Sequence, residues 1–238
     1  VKKSSHVFER YETKFLMSRK AYESIMEDVR KYMELDTFGH SLICNIYYDT
    51  PDFKMIRRSL DHPLYKEKIR VRSYGVSEPD GKVYIELKKK YEDVVYKRRA
   101  SCIETRIENF FTDPAEKNTQ IAREIRYTYG KYEGIGPRMY ISYEREAYYL
   151  KDGDPDFRVT FDENIRFRTD GLSLCVPPSG ERVIAEDQVL MELKCAESIP
   201  FWMVRALSRE KVYKTSFSKY GTAYVKLCKT GEQYAAVI

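Results

Sequence analysis

The run Lys66-Glu67-Lys68-Ile69-Arg70-Val71-Arg72-Ser73-Tyr74 constrains this chain more than any other stretch. Neighbouring side chains on a strand point to opposite faces. A strand here sends Ile69 and Val71 one way and Lys66, Lys68, Arg70 and Arg72 the other. Exposed sheet faces often carry Lys and Arg, so one such strand says little. The test is whether other strands repeat the pattern with the same sign.

They do. From Lys82 to Lys90, Tyr84, Glu86, Lys88 and Lys90 alternate with Val83, Ile85 and Leu87. Arg158, Thr160 and Asp162 alternate with Phe157, Val159 and Phe161, and Glu192 and Lys194 with Met191 and Leu193. Arg145 shares a face with Tyr143. The stretch from Val94 to Arg99 is mixed, with Lys97 and Arg99 on the side of Val95, which leaves its register open. Lys89 falls on the opposite face and is discounted. The polar faces together carry Lys66, Lys68, Arg70, Arg72, Lys88, Lys90, Lys97, Arg99, Arg145, Arg158 and Lys194, against Glu86, Asp162 and Glu192. A merely solvated face mixes signs to limit cross-strand repulsion. Segregated cations imply that an anion completes the site.

The formal net charge is only +5, too mild for nonspecific nucleic-acid binding, so an anion site must come from local segregation. No stacking aromatics interleave with the basic positions beyond strand tyrosines, and no nucleic-acid partner is expected. The five cysteines are scattered, without a CxxC pair or a Cys/His cluster; they read as free thiols in a cytoplasmic protein. No apolar run approaches the ~20 residues that span a bilayer, and no leader is expected because no apolar stretch follows Lys2 and Lys3. P-loop and dinucleotide glycine motifs are absent, and His6, His40 and His62 suggest no catalytic triad.

Local signals give the element order. A strand is expected from Phe8 to Phe15, with Arg10, Glu12 and Lys14 on one face, then a helix capped by Ser18 and running to about Leu35. Strands follow at Leu42–Tyr48, Lys66–Tyr74, Lys82–Lys90 and Val94–Ile103, with a short helix from Phe53 to Ser59. Asp113-Pro114 resembles a cap followed by Pro at the first helical position, which predicts a helix over 114–129 closed by Gly130. Strands are predicted at 138–150, 156–168 and 188–195, with a turn at Asp152-Gly153-Asp154-Pro155 and a loop at 175–181. Pro200 opens a helix that buries Trp202, Met203, Ala206 and Leu207. A last helical or irregular segment holds Ser216 to Leu227. No repeat or linker divides the 238 residues, so one domain over 1–238 is expected. Helices covering the apolar strand faces leave two architectures: a closed antiparallel barrel with a polar-lined tunnel, or an open α+β sheet with a wet charged face. Glu192, a rare acid among cations, is either an ion-pair partner or a ligand of Mg²⁺ or Mn²⁺ beside phosphate.

Six ordered motifs carry a family likeness: Lys68-Ile69-Arg70-Val71-Arg72, Ile85-Glu86-Leu87-Lys88, Tyr143-Glu144-Arg145-Glu146-Ala147-Tyr148, Arg158-Val159-Thr160-Phe161-Asp162, Glu192-Leu193-Lys194, and the segment Thr215 to Tyr224. From about Phe8 to Tyr224 the chain resembles the VTC domain, the polyphosphate polymerase domain of the vacuolar transporter chaperone complex, in a stand-alone bacterial form. That family belongs to the triphosphate tunnel metalloenzymes, which are CYTH-like. The resemblance implies an α+β fold: an antiparallel β-barrel with a basic interior, flanked outside by helices. It implies transfer of the ATP γ-phosphoryl group to a growing polyphosphate chain, with Mn²⁺ or Mg²⁺. Lys14, Arg70, Arg72, Lys88, Lys97, Arg145, Arg158 and Lys219 would clamp phosphates and Glu192 would carry the metal. Glu12, Glu86, Tyr143, Lys194, Ser216 and Ser218 would support substrate binding, with Lys214 or Ser216 open as a further contributor. Phosphoryl transfer needs positioning and charge neutralisation more than a covalent nucleophile, which suits this residue set. The wider superfamily carries an N-terminal Glu-x-Glu-x-Lys, whereas this chain reads Arg10-Tyr11-Glu12-Thr13-Lys14. One carboxylate fewer favours chain extension over hydrolysis. The alternatives are an inorganic tripolyphosphatase and a non-catalytic polyphosphate- or nucleotide-binding module. A membrane-protein partner is compatible with the family, though no membrane segment is read in this chain.

Overall fold

The computed structural model describes residues 11–92, 94–152, 157–196 and 198–235. In order, the elements are β1 (Tyr11–Ser18), α1 (Arg19–Tyr32), β2 (Met33–Asp49), α2 (Lys54–Leu60), β3 (Tyr65–Tyr74), β4 (Lys82–Tyr91), β5 (Val94–Ile103), α3 (Ile107–Thr112), α4 (Gln120–Gly130), β6 (Gly136–Leu150), β7 (Arg158–Arg168), β8 (Glu181–Arg182), β9 (Gln188–Cys195), α5 (Phe201–Arg209), β10 (Lys214–Thr215) and α6 (Lys219–Ala235). The fold is α+β. Its ten-stranded sheet has the order β10-β1-β9-β7-β6-β2-β3-β4-β5, with β8 attached to β7. The order is a path from β10 to β5, which establishes the antiparallel sheet and not the closure expected of a barrel.

The chain forms two compact units, each assembled from separate segments. The first comprises residues 1–41, 144–164 and 184–217; the second comprises 42–143, 165–183 and 218–238. In the first, Phe15, Met17, Val159, Phe161, Met191 and Leu193 point from the strands into a core closed by Ile25, Met26 and Val29 of α1 and Met203 and Ala206 of α5. In the second, Ile69, Val71, Val83, Ile85 and Leu87 pack with Phe110 and Phe111 of α3 and Ala122 and Ile125 of α4. Both cores are the apolar strand faces anticipated from the alternation, so the charged faces lie on the other side of each sheet segment.

Ser18 caps α1 as predicted, its hydroxyl accepting from Ala21 N at 3.3 Å. The helix stops at Tyr32 rather than near Leu35, because Met33 is buried as an extended residue that opens β2. β2 therefore starts nine residues before the predicted Leu42, through a polar stretch with no strand periodicity. The helix predicted over 114–129 begins only at Gln120. Asp113 Oδ1 accepts from Ala115 N at 2.8 Å and holds a turn. Lys117 is drawn out instead: its Nζ donates to Ser101 O at 2.8 Å, and its carbonyl accepts from Arg126 Nη2 at 2.6 Å. Thr119 is the true cap, accepting from Ala122 N. The unpredicted α3 buries Ile107, Phe110 and Phe111 at helical spacing. The final segment divides into the two-residue β10 and α6, which starts at Lys219. Phe8 to Arg10, Gly153-Asp154-Pro155 and the predicted strand start at 156 lie outside the described residues.

Candidate functional site

Each unit presents one cationic strand face. In the second unit the register stacks it in cross-strand rows. Tyr47, Arg70, Glu86 and Arg99 form one row; Lys68, Lys88 and Lys97 form the next; Asn45, Arg72, Tyr84 and Ser101 form a third. The pairings Lys88–Lys97 and Glu86–Arg99 settle the mixed stretch of β5 by putting Lys97 and Arg99 on the basic face. Lys89 pairs with Glu67 and Tyr96 and belongs to the other face, as read from the sequence.

Glu86 is the hub of this face. Its side chain is 2% exposed and meets Arg70 at 2.7 Å, Arg99 at 2.6 Å and Lys97 at 3.0 Å. Burial alone would raise its pKa, but Arg70, Arg72 and Lys97 hold the carboxyl well below its ordinary value. Burial also lowers the Lys97 ammonium against the pull of Glu86. Arg72, itself buried, donates from Nε to Asn45 Oδ1 at 2.9 Å and from Nη2 to Tyr143 OH at 3.1 Å. Lys68 donates to Ser218 Oγ at 3.1 Å, and Ser218 also accepts from Gly221 N at the start of α6. Lys219 lies over the Tyr143 ring at 4.5 Å. This unit thus gathers Arg70, Arg72, Glu86, Lys88, Lys97, Tyr143, Ser218 and Lys219. Asn45 and Tyr47 of β2 join them unanticipated, though both sit at alternate positions of a predicted strand.

In the first unit, Glu12, Lys194 and Arg158 form one row and Lys14, Glu192 and Thr160 the next, across β1, β9 and β7. Glu192 is buried. Lys194 Nζ lies 2.7 Å from Oε1 and Lys14 Nζ 3.9 Å from Oε2, and Lys14 also reaches Glu12 at 3.2 Å. Arg145 grips the fully buried Asp162 through two parallel bonds of 2.6 and 2.7 Å. Arg158 pairs with Asp36, a partner hidden from sequence reading in the aperiodic start of β2. Of the C-terminal candidates, Lys214 is in register with Phe15, and it is Thr215 that sits opposite Lys14. Lys14 Nζ also donates to Phe217 O, just beyond Ser216.

No group of three or more His, Cys, Asp or Glu side chains among the described residues could hold a metal by itself. Glu192 and Glu12 are diagonal neighbours on one face, roughly 7–8 Å apart by sheet geometry. One or two carboxylates with phosphate completing the shell is the complement that Mg²⁺ and Mn²⁺ take, so this oxygen donor set fits such an ion.

The solved structures of like fold include the following two. One is a candidate adenylate cyclase from Bacillus halodurans, at TM-score 0.53 and 11% identity over 87% of this chain and 92% of that one. The other, from Hippeastrum, is a candidate adenylyl cyclase described with a dominant triphosphatase activity; it aligns at TM-score 0.50 and 13% identity over 89% and 93%. At this level of identity the likeness is one of fold alone. The sequence profile of the VTC domain matches residues 9–228, and the chain belongs to the VTC domain family. No curated protein matches the chain. Among the described residues no helix is long and apolar enough to cross a membrane.

Proposed function

We propose that the chain is an ATP-dependent polyphosphate polymerase, a single domain over 1–238 that binds polyphosphate in a basic tunnel. The observation that carries this reading is the family membership combined with segregation of cations onto one face of each unit. A terminal phosphate oxygen of the acceptor attacks the γ-phosphorus of ATP. The bond to the β–γ bridging oxygen breaks, ADP leaves with its electron pair, and the acceptor grows by one phosphate. Lys14, Arg70, Arg72, Lys88, Lys97, Arg145, Arg158 and Lys219 are the cations that would neutralise and align the phosphates. Tyr143, Ser216 and Ser218 add hydrogen bonds. Lys194 and Glu12 flank Glu192, and Glu86 fixes the cations around it. A bound Mn²⁺ or Mg²⁺ would supply further charge neutralisation at Glu192 and Glu12.

Hydrolysis is the second reading, favoured by the triphosphatase activity described for the Hippeastrum protein of like fold. Arg10, in place of the first superfamily carboxylate, speaks for extension, since a second metal and its activated water lose a ligand. Incubation with ATP and Mn²⁺ followed by gel electrophoresis separates the two. A polymerase yields a polyphosphate ladder and ADP that Glu192→Ala abolishes; release of orthophosphate without a ladder overturns the polymerase reading.

A further inference from the structure

Thr160 stands in one row with Lys14 and Glu192 and is buried there. It is 2% exposed, and its hydroxyl has no hydrogen-bond partner among the described residues. It sits directly across from Glu192 in the β7–β9 register, and Lys14 lies across from Glu192 on the far side. A buried hydroxyl without a partner is destabilising, and Val would fill the same space in a strand at no such cost. The buried, unpaired hydroxyl therefore reads as a donor held ready beside Glu192.

Both Glu192 oxygens are engaged by ammonium groups, Oε1 by Lys194 at 2.7 Å and Oε2 by Lys14 at 3.9 Å. A polyphosphate offers these lysines denser negative charge than one carboxylate does. When they turn toward phosphate, Glu192 gives up these two ammonium contacts. Thr160, directly across from it in the β7–β9 register, carries a hydroxyl able to donate in their place. We infer that Thr160 is a positioning residue: on ligand arrival its hydroxyl donates to the Glu192 carboxylate and fixes it for the divalent ion that accompanies the phosphates. This rests on the phosphate-binding reading above. A donor that orients a metal-ligating carboxylate commonly changes metal affinity by about 10–100-fold.

The test compares wild type, Thr160→Val and Thr160→Ser by calorimetric titration with inorganic triphosphate, with and without Mn²⁺, alongside thermal unfolding of the unliganded proteins. Thr160→Val is expected to unfold about 2–4 °C higher, because the unpaired hydroxyl is gone. It is also expected to lose about tenfold or more in affinity in the Mn²⁺ arm, with little change in the metal-free arm. Thr160→Ser should stay within about threefold of wild type in both arms, because it keeps the donor. Wild-type affinity for Mn²⁺-triphosphate in a folded Thr160→Val overturns the inference and leaves the phosphate reading standing. An equal loss in both arms also overturns it, since the effect would then not run through the metal ligand. Wild type that binds no triphosphate in either arm overturns the phosphate reading itself.

Discussion

Arg70 and Glu86 face each other across β3 and β4, with Arg70 Nη2 2.7 Å from Glu86 Oε2. Lys97 and Arg99 approach the same buried carboxylate from β5. One acid thus holds three cations at fixed positions, and the face stays net positive. Preorganisation of this kind lowers the ordering cost when a polyanion arrives. Glu86→Gln leaves those cations repelling one another around a neutral amide. A loss of about 3 kcal/mol of unfolding free energy is expected, the lower end for breaking a buried charge network. Urea denaturation measures it. Saturating triphosphate should restore part of the loss, because bound anion replaces the missing charge.

Stability should also depend on acid in a defined sense. Burial pushes the Glu67 carboxyl up, but hydrogen bonds from Tyr65, Tyr132 and Lys131 overcome it and leave the pKa lowered, as the cations do for Glu86. Both folded-state values are depressed, so their stabilisation is complete above the unfolded glutamate value of ~4.3 and is lost as pH falls toward the folded values. Urea midpoints should be flat from about pH 7 to pH 5 and decline steadily below about pH 4.3. In Glu86→Gln the decline should be shallower. A midpoint unchanged down to pH 3 in the wild type would show that neither carboxyl is stabilised by folding.

What the sequence made legible was whatever depended on period two. The apolar rows of β3, β4, β7 and β9 are buried as their alternation requires, and the cations share the opposite faces. Less legible was anything fixed by a partner strand. Lys97 had no assignable side until its pairing with Lys88 supplied one. Glu86 could be named as an acid among bases, but only the β5 register makes it a three-cation hub. Asp36 lies in a stretch of β2 with no apolar repeat, so the partner of Arg158 left no trace. That the Thr160 hydroxyl finds no partner among the described residues is invisible in principle, since whether a hydroxyl is satisfied depends on neighbours distant in the chain.

The displaced start of α4 gives a test of its own. Asp113-Pro114 has the sequence of a helix start, yet tertiary contacts of Lys117 hold the next residues out and Thr119 caps Ala122. Thr119→Ala should therefore cost about 1 kcal/mol in urea denaturation, the usual worth of a cap. Asp113→Ala, which removes an exposed turn contact, should fall within about 0.5 kcal/mol of wild type. The opposite ranking would put the helix start where Asp113-Pro114 suggests.

Arg72 and Arg145 differ in what they hold. Arg72 donates to the neutral Asn45 and Tyr143, and Asn45 is fixed in turn by its Nδ2 donating to Ile141 O at 3.0 Å. Arg145 is bound fork to fork with Asp162, a carboxylate shut off from water. The charge of Arg72 is thus oriented without a bidentate acid partner, and more of it is available to phosphate. Lys in its place keeps the charge but not the planar fork that Asn45 and Tyr143 aim. Arg72→Lys should weaken triphosphate binding by about tenfold, roughly 1.4 kcal/mol, read by calorimetric titration. Arg145→Lys should act mainly on stability, because Asp162 loses one of two charge-assisted bonds while buried; about 2 kcal/mol is expected in urea denaturation. Unchanged triphosphate affinity in Arg72→Lys would remove Arg72 from the proposed phosphate clamp.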